Sequence, residues 1–315
     1  MRKLKIFGKL SWCFLFFFQK IVNNYQLKKN KKNYYILFSL FKFFIKKKII
    51  VSFKKYKFYT STDKKDLSRW ILKNLKQWDD RNIQIIIKLV KKYKASFIDC
   101  GCNFGAYSVP IAKNFKNQKI YAFDASEIAI NKLRENINLN NIKNIKYFNF
   151  GIGEKNEEKI FDQNIENFKN NGSYRFTNKK NGKKVKIFSL DYLLRRKKIN
   201  LNPIVIVKID IEGYDYFALK GMNKIIKKHN VIIFFELSKI LMKNTKNFNI
   251  KFIKFLKKRN FRFFDLDLNE KNVTLYLNKL KNISKTKETL GDFIISNFDF
   301  KKKFKFKKIS GKSNL

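Results

Sequence analysis

Three charged residues near the middle of the chain stand at the end of a segment that has the pattern of a buried strand. Residues 204–209 form a nearly continuous apolar run, as expected for a strand inside a parallel sheet. Lys208, Asp210 and Glu212 alternate at its end, so we expect them on one side of the sheet's carboxyl edge. Buried charges are costly unless they are paired or used. The pattern predicts proton-transfer or ligand-anchoring chemistry, with a structural Lys208–Asp210 ion pair and Glu212 as a helix cap as the alternative.

A glycine-containing loop follows an earlier strand pattern. Residues 99–105 have the sequence Asp-Cys-Gly-Cys-Asn-Phe-Gly. Gly101 permits a tight turn and a close approach of the backbone to a ligand, and Gly105 lets the next helix begin near the sheet. The spacing differs from the G-x-G-x-x-G loop that brings a pyrophosphate to a helix terminus. Alone the loop is a weak signal, because two glycines after a strand also occur in ordinary turns.

The next strand pattern, residues 119–124, ends in Asp124. A carboxylate at the end of the second strand can accept both hydroxyls of an adenosine ribose. A helix N-cap or a surface acid is the alternative interpretation. With the glycine loop upstream, the combination favours a site for an adenosine-containing cofactor.

Strand and helix patterns alternate around these residues, which predicts an α/β protein with a doubly wound, mostly parallel sheet. Ligands of such sheets bind beyond the carboxyl ends of the strands. Two Asn-Gly pairs, 171–172 and 181–182, indicate hairpin turns in an insertion of short antiparallel strands over residues 154–188. The predicted strands are 96–100, 119–124, 145–150, 204–209, 231–237 and 292–297, and the predicted helices are 105–115, 126–139 beginning at Ser126, 214–228 and 252–256.

The net charge of +48 is concentrated at the ends of the chain. Residues 1–60 contain sixteen lysines and arginines and no carboxylate, interleaved with aromatic runs too short to span a membrane. This composition predicts a basic N-terminal extension that either contacts a membrane surface or packs on the main α/β domain. A larger α/β domain at 61–300 and a basic tail at 301–315 complete the predicted division. Much of the lysine excess is also explained by AT-rich codon usage.

The three cysteines, Cys13, Cys100 and Cys102, are too few for a disulfide framework in 315 residues. They fit a reducing compartment, which predicts a cytoplasmic protein, peripheral at the inner membrane face if the extension binds lipid. Cys100 and Cys102 have no second Cys/His pair, so a zinc site is not expected. The lone His229 is interpreted as structural.

The chain resembles the FkbM family of methyltransferases. That family has a D-x-G-x-N-x-G loop, a strand ending in an acid and a later K-x-D-x-E-G segment, which occur here in order as residues 99–105, 123–124 and 208–213. Further similarities are residues 134–140, 150–153 and 189–191. Asp124-Ala125 replaces the usual Glu-Pro, which preserves the ribose chemistry with one methylene less reach. The resemblance covers roughly residues 75–300.

The resemblance implies a Rossmann-like sheet of seven strands, S-adenosylmethionine as methyl donor, and transfer to an oxygen, commonly a hydroxyl of a sugar or related metabolite. By position, four loop residues would surround the methionine part, Asp124 would hold the ribose, and two residues would border the adenine. Asp210 and Glu212 would face the acceptor as base or anchor, with Lys208 setting their charge state. The loop residues are Asp99, Gly101, Asn103 and Gly105, and the adenine neighbours are Gly151 and Ile152. A divalent metal bridged by Asp210 and Glu236 is conceivable, but two carboxylates do not support it.

Other functions remain as alternatives. The charge favours an RNA-directed methyltransferase or a nucleic-acid-binding module, yet Asn202-Pro203 precedes the fourth strand, whereas base-amino methyltransferases carry such a segment after it. A nicotinamide dehydrogenase lacks the required glycine spacing. A catalytically inactive homologue that only binds surfaces is the third alternative.

Overall fold

A computed structural model of the protein describes residues 5–7, 49–53, 55–61, 63, 65–74, 77–162, 175–177, 182–238, 241, 245–283 and 289–301. Most of the predicted basic extension and tail lies outside these ranges, as do Asn171-Gly172 and Asn181 of the predicted turns. The membrane-surface contact of residues 1–60 therefore stays a prediction. No helix within the described ranges has the length and apolar character needed to cross a membrane.

Fourteen strands and nine helices are described, and they are numbered in chain order. The strands are β1 Lys5–Phe7, β2 Ile49–Ser52, β3 Lys57–Thr60, β4 Ser96–Cys100, β5 Ile120–Asp124, β6 Ile145–Asn149, β7 Gly151–Ile152, β8 Glu157–Asp162, β9 Arg175–Thr177, β10 Lys183–Phe188, β11 Ile204–Ile209, β12 Asn230–Ser238, β13 Arg262–Phe264 and β14 Thr289–Ser296. The helices are α1 Arg69–Asn74, α2 Asp80–Tyr93, α3 Ser108–Asn114, α4 Glu127–Leu139, α5 Leu190–Arg195, α6 Asp215–Lys220, α7 Asn223–Lys228, α8 Phe248–Lys258 and α9 Val273–Ile283.

The central sheet has seven strands in the order β13-β14-β12-β11-β4-β5-β6. Strands β12, β11, β4, β5 and β6 pair in parallel, and only β14 runs antiparallel to both of its neighbours. Alternate residues of β11 lie in two different cores, Ile206 on one face and Val205 and Val207 on the other. The apolar runs of β11 and β12 follow from this burial on both faces. The predicted doubly wound, mostly parallel sheet of seven strands is confirmed.

Helices cover both faces of the sheet. Apolar residues of α2, α3 and α4 pack in one core, and those of α5, α6, α7 and α8 pack in the other. Ser126 caps α4 as predicted, because its hydroxyl accepts a hydrogen bond from the amide of Ala129. The single helix predicted over 214–228 is instead two helices, α6 and α7. The break falls at Gly221, where a Cβ atom would lie 2.0 Å from the carbonyl oxygen of Gly153, so the chain turns there to pass the β7 segment.

The predicted insertion forms a second sheet, with the order β7-β10-β8-β9. Its β8, β9 and β10 strands pair in antiparallel fashion, while β10 also pairs in parallel with β7. Because β7 follows β6 directly in the chain, the insertion is anchored beside the carboxyl end of the central sheet. It therefore forms part of the rim where ligands of such sheets bind.

A third sheet, β1-β2-β3, packs its hairpin of residues 49–60 against α4. The amides of Lys57 and Tyr59 donate hydrogen bonds to the side-chain oxygens of Asn140 and Asn136, at 2.7 and 2.8 Å. The buried ring of Phe58 lies edge-on to Phe104 of the glycine loop, with 5.5 Å between ring centroids. This hairpin lies before residue 61, where the predicted catalytic domain begins; the predicted domain boundaries stay a prediction.

Candidate active site

A cleft of about 280 Å³ opens at the carboxyl ends of β4, β5 and β11. We call it the glycine-loop cleft. It brings together segments more than a hundred residues apart, because parallel strands end at the same edge of the sheet. Its walls include Gly101, Cys102, Asn103, Tyr107, Asp124, Phe150, Gly151, Ile152, Phe176, Lys208, Asp210, Glu212 and Glu236.

Backbone hydrogen bonds tie the three strand ends together. The amides of Gly101 and Cys102 both donate to the carbonyl of Phe123, at 2.9 and 3.0 Å, and the amide of Asp210 donates to the carbonyl of Cys100 at 3.1 Å. Gly101 has a φ of +84°, and a Cβ atom there would lie 1.9 Å from the carbonyl oxygen of Asp210. Only glycine accommodates both the positive φ and this approach. The glycine predicted from sequence as a turn is therefore also the contact between two strand ends.

Asp124 lies at the end of β5 and lines the cleft. One carboxylate oxygen accepts the amide of Asn103 at 2.9 Å, and the other accepts the amide of Ser126 at 2.8 Å. A carboxylate oxygen has two acceptor positions, so each can still accept a hydroxyl. Burial raises the pKa of Asp124 to about 6, although the two amide hydrogen bonds oppose the rise. Asp124 can therefore accept hydrogen bonds from two neighbouring hydroxyl groups of a ligand.

The four predicted loop residues divide into two pairs. Gly101 and Asn103 line the cleft. Asp99 is fully buried behind it, where it accepts a hydrogen bond from the Ser108 hydroxyl at 2.6 Å. Gly105 is in the packing layer, since a Cβ atom there would lie 2.6 Å from Leu133. Asp99 and Gly105 are therefore positioned to support the loop, and they are not among the residues lining the cleft.

The two predicted adenine neighbours, Gly151 and Ile152, both line the cleft beside Phe150. Phe176 of the insertion packs against this wall: a Cβ atom on Gly151 would lie 2.8 Å from its ring. This end of the cleft is thus apolar and aromatic. It can accommodate a flat ring system such as a purine.

Lys208 is the predicted cation at the end of β11, and it is only 8% exposed. Its ammonium nitrogen lies 2.9 Å from an Asp210 oxygen, 3.9 Å from an Asp99 oxygen and 4.9 Å from the ring centroid of Tyr107. Burial lowers the pKa of Lys208, but the two carboxylates outweigh it and raise the pKa overall. For Asp210 the directions are reversed: burial raises its pKa, but Lys208 outweighs burial and lowers the pKa overall. The Lys208–Asp210 ion pair, which the sequence offered as the alternative interpretation, is therefore present.

Asp215 holds the loop after β11 and was not identified from the sequence. Its two oxygens accept the amides of Ile211 and Gly213, each at 3.0 Å. Within this loop Glu212 has a φ of +52° and Gly213 a φ of +89°. The hydrogen bonds to Asp215 therefore support a backbone in the left-handed region. Burial, reinforced by Asp210, raises the pKa of Asp215 to about 7. An acid in the first turn of the following helix was the available sequence signal, and it is Asp215 rather than Glu212 that binds the loop amides.

A second cavity of about 350 Å³ adjoins the cleft. We call it the acidic cavity, since four carboxyl groups line it. It shares Trp78, Tyr107, Lys208, Asp210 and Glu236 with the cleft and adds Trp70, Asp79, Asn82, Ile209, Phe234, Phe235 and Asp292. Sequence reasoning missed Asp79, Tyr107 and Asp292, because they belong to distant segments with no common spacing. Glu212 lines the cleft but not the acidic cavity.

No group of three or more His, Cys, Asp or Glu residues in the described part of the chain is arranged to hold a metal ion. His229 follows α7, and its Nδ1 lies 2.9 Å from the carbonyl oxygen of Asn202. That contact joins two loops far from the cleft and fits the structural interpretation. Cys100 and Cys102 are both buried, and burial raises the pKa of both thiols.

The sequence matches the family model described as the methyltransferase FkbM domain over residues 99–263. This span is just over half of the chain and contains both the glycine loop and the 208–213 segment. The chain belongs to the FkbM methyltransferase family. The resemblance deduced from the motifs is thereby confirmed. No protein of curated function matches this FkbM chain in sequence.

Several solved structures are similar to this chain at low sequence identity. One is the tRNA (uracil-54, C5)-methyltransferase of Pyrococcus abyssi in complex with S-adenosyl-L-homocysteine, with TM-score 0.39, 12% identity, and coverage of 79% of this chain and 43% of that chain. A second is methyltransferase FkbM from Methylobacillus flagellatus, with TM-score 0.37, 15% identity and coverage of 64% and 43%. A third is M. jannaschii TYW2 in complex with AdoMet, with TM-score 0.38, 14% identity and coverage of 80% and 86%. The FkbM chain thus spans less than half the length of the first two.

Proposed function

We propose that this protein is an S-adenosylmethionine-dependent methyltransferase that methylates a hydroxyl group of a sugar or related metabolite. The observation that carries the proposal is the junction of two cavities. The glycine-loop cleft, with Asp124 on its wall, opens beside the acidic cavity through Lys208, Asp210 and Glu236. A transferase needs this layout, because donor and acceptor must meet at one point.

The residues of the cleft fit the donor. Asp124 keeps an acceptor position on each oxygen for the ribose hydroxyls, and the backbone at Gly101 and Asn103 leaves room beside it for the methionine part. Gly151 and Ile152 border the adenine. When bound, S-adenosylmethionine supplies a methyl group activated by a positively charged sulfur. Asp210 on the shared wall, which Lys208 keeps ionised, favours a cationic group there.

Asp210 is the proposed base. An alcohol attacks well only while its proton is being removed. Asp210 and Glu236 line both cavities, and Asp210 is the one that Lys208 keeps ionised. With the donor bound in the cleft to supply the methyl group, Asp210 would accept the proton that the acceptor hydroxyl loses. Lys208 positions and ionises Asp210, while Glu212 borders the donor side.

The decisive experiment is calorimetric titration of the intact protein with S-adenosylhomocysteine. Asp124→Ala removes both hydroxyl acceptors, so we expect its affinity to fall by at least about tenfold. The matched control is Glu127→Gln, since Glu127 is an exposed acid three residues away that pairs with Lys183. Equal affinities for the wild type and Asp124→Ala would refute the ribose role. No binding by the folded wild type would favour an inactive, surface-binding homologue.

An RNA acceptor is the second candidate, because the net charge is +48. Four of the five acidic or basic side chains around the acidic cavity are carboxyl groups, which repel phosphate when they are ionised. RNA binding that persists at physiological salt, together with methyl transfer to RNA, would favour this candidate. The cytoplasmic location and the contact of residues 1–60 with a membrane surface belong to the same proposal.

A further inference from the structure

The acidic cavity has an unusual charge for a protein with three times as many basic as acidic residues. Asp79, Asp210, Glu236 and Asp292 line it, and Lys208 is the single cation among its described wall residues. That lysine is already engaged by Asp210 and Asp99. The walls therefore carry more acidic than basic groups where the proposed acceptor must enter. Burial raises the pKa of Asp79 and of Glu236, so a bound cation would favour their ionised forms.

Two of these acids have neutral partners. Asp79 accepts hydrogen bonds from the Tyr107 hydroxyl and from the side-chain amide of Asn82, the latter at 2.8 Å. The same amide lies 3.3 Å from an Asp292 oxygen. Among the residues that the structure describes, neither Asp79 nor Asp292 forms a salt bridge. Burial, reinforced by Asp79 and Asp210, raises the pKa of Asp292 to about 7, so these groups disfavour one another's charge.

Asn82 gives an independent indication. It lines the cavity at 3% exposure, and its side-chain oxygen accepts no hydrogen bond from any described residue. A buried acceptor without a donor is costly. A ligand with N–H or O–H groups would relieve that cost, whereas a phosphate or carboxylate brings only further acceptors.

Aromatic rings complete the walls. Trp70 and Trp78 lie edge to face with 5.1 Å between centroids, and Trp70 is 36% exposed. Tyr107 already presents its ring to the Lys208 ammonium. Ring faces attract cations and also cover the apolar faces of sugar rings.

We propose that the acidic cavity binds the acceptor and selects a cationic one, a polyhydroxylated compound with a protonated amine such as an amino sugar. The inference rests on the proposed function, since it assigns this cavity to the acceptor. Carboxylates bind the ammonium group, Asn82 accepts from the ligand, and the tryptophans cover the ring. The acceptor hydroxyl then lies toward Asp210 on the shared wall.

The test uses the full-length protein saturated with S-adenosylhomocysteine and three sugars of similar size, glucosamine, glucose and glucuronate. Their charges at neutral pH are positive, zero and negative. Binding is measured by calorimetry and by the fluorescence of the cavity tryptophans. We expect glucosamine to bind at least about tenfold more tightly than glucose, and glucuronate to bind most weakly. Equal affinities, a reversed order or no binding of any of the three would overturn the inference.

Variants localise the effect. Asp292→Asn is expected to weaken glucosamine binding by about tenfold and glucose binding by much less. Asp79→Asn is a second variant in case the first does not fold. The control is Asp267→Asn, an exposed acid paired with Arg81 outside the cavity. If the protein binds S-adenosylhomocysteine normally without discriminating the sugars, only this inference fails. If it does not bind S-adenosylhomocysteine, the proposed function fails.

Discussion

Lys208 holds two carboxylates in place within a region from which water is largely excluded. Asp99 is fully buried beside it and Asp210 reaches the cleft, so one ammonium serves an inner and an outer acid. Lys208 lies near Asp99 because the two residues are opposite each other in the β11–β4 register. At this scale the sequence was informative, because a lysine and an aspartate at the end of an apolar strand already indicated the Lys208–Asp210 ion pair as one of two interpretations.

Replacing Lys208 by Met should destabilise the protein by about 3 kcal/mol at neutral pH, because two acids lose their buried counter-charge. The lowered pKa of Asp210 contributes stability above its unfolded pKa, and this is lost as pH falls through the folded value. The raised pKa of Lys208 contributes stability below its unfolded pKa, and this is lost as pH rises through the folded value.

The difference between wild type and Lys208→Met should therefore be largest between about pH 4 and pH 10. Urea denaturation across this range measures it. Lys220→Met is the control, since Lys220 forms a more exposed pair with Glu154 and should cost about 1 kcal/mol or less. A pH-independent difference would show that Lys208 stabilises through packing alone.

At the scale of elements, the site depends on how closely the strand ends approach one another. The loop after β4 and the loop after β11 touch through the backbone at Gly101, and no side chain can yield there. The loop after β6 is different, since Gly151 faces the ring of Phe176. A ring at the end of a flexible side chain can move.

Gly101→Ala should lower the free energy of unfolding by at least about 2 kcal/mol, because a clash with backbone is added to an unfavourable φ. Gly151→Ala should cost less, yet weaken S-adenosylhomocysteine binding by narrowing the cleft. Thermal unfolding and calorimetry of the two variants compare these effects. Equal loss of stability in both would contradict the assignment of Gly101 as the rigid contact.

At the scale of the whole molecule, charge and chemistry are separated. Thirteen of the sixteen basic residues of the N-terminal extension precede residue 49, whereas the hairpin of residues 49–60 packs its Phe58 against the glycine loop. The glycine-loop cleft and the acidic cavity, in contrast, are lined by more acidic than basic side chains. The basic segment before residue 49 is thus suited to binding the protein to an anionic surface. The hairpin of residues 49–60 is suited to supporting the glycine loop.

Removing residues 1–48 should leave S-adenosylhomocysteine binding intact and abolish binding to anionic lipid vesicles, since most of the charge that attracts such lipids is gone. Removing residues 1–60 should instead destabilise the protein, because the partners of Asn136, Asn140 and Phe104 are lost. Vesicle sedimentation and thermal unfolding distinguish these outcomes. A stable fragment beginning at residue 61 would support the predicted domain boundary and contradict a structural role for the hairpin.

The sequence alone determined the sheet and its polar edge. Residues 204–209 predicted a strand that the structure reproduces residue for residue, and the positions of Gly101, Asp124 and Lys208 followed from local patterns. Such features depend on periodicity, turn chemistry and strand alternation, which act over a few residues. The break at Gly221 was missed, because it depends on contact with Gly153 across the fold.

Only the tertiary structure decided which charges share a cavity. Asp79, Asp210, Glu236 and Asp292 come from four separate segments, and no spacing in the chain relates them. It also separated Asp99 and Gly105, which support the loop, from Gly101 and Asn103, which line the cleft. The physical reason is that the elements packed around a side chain decide whether it lines a cavity or is buried in a core. That packing joins residues far apart in the sequence, so a local pattern does not reveal it.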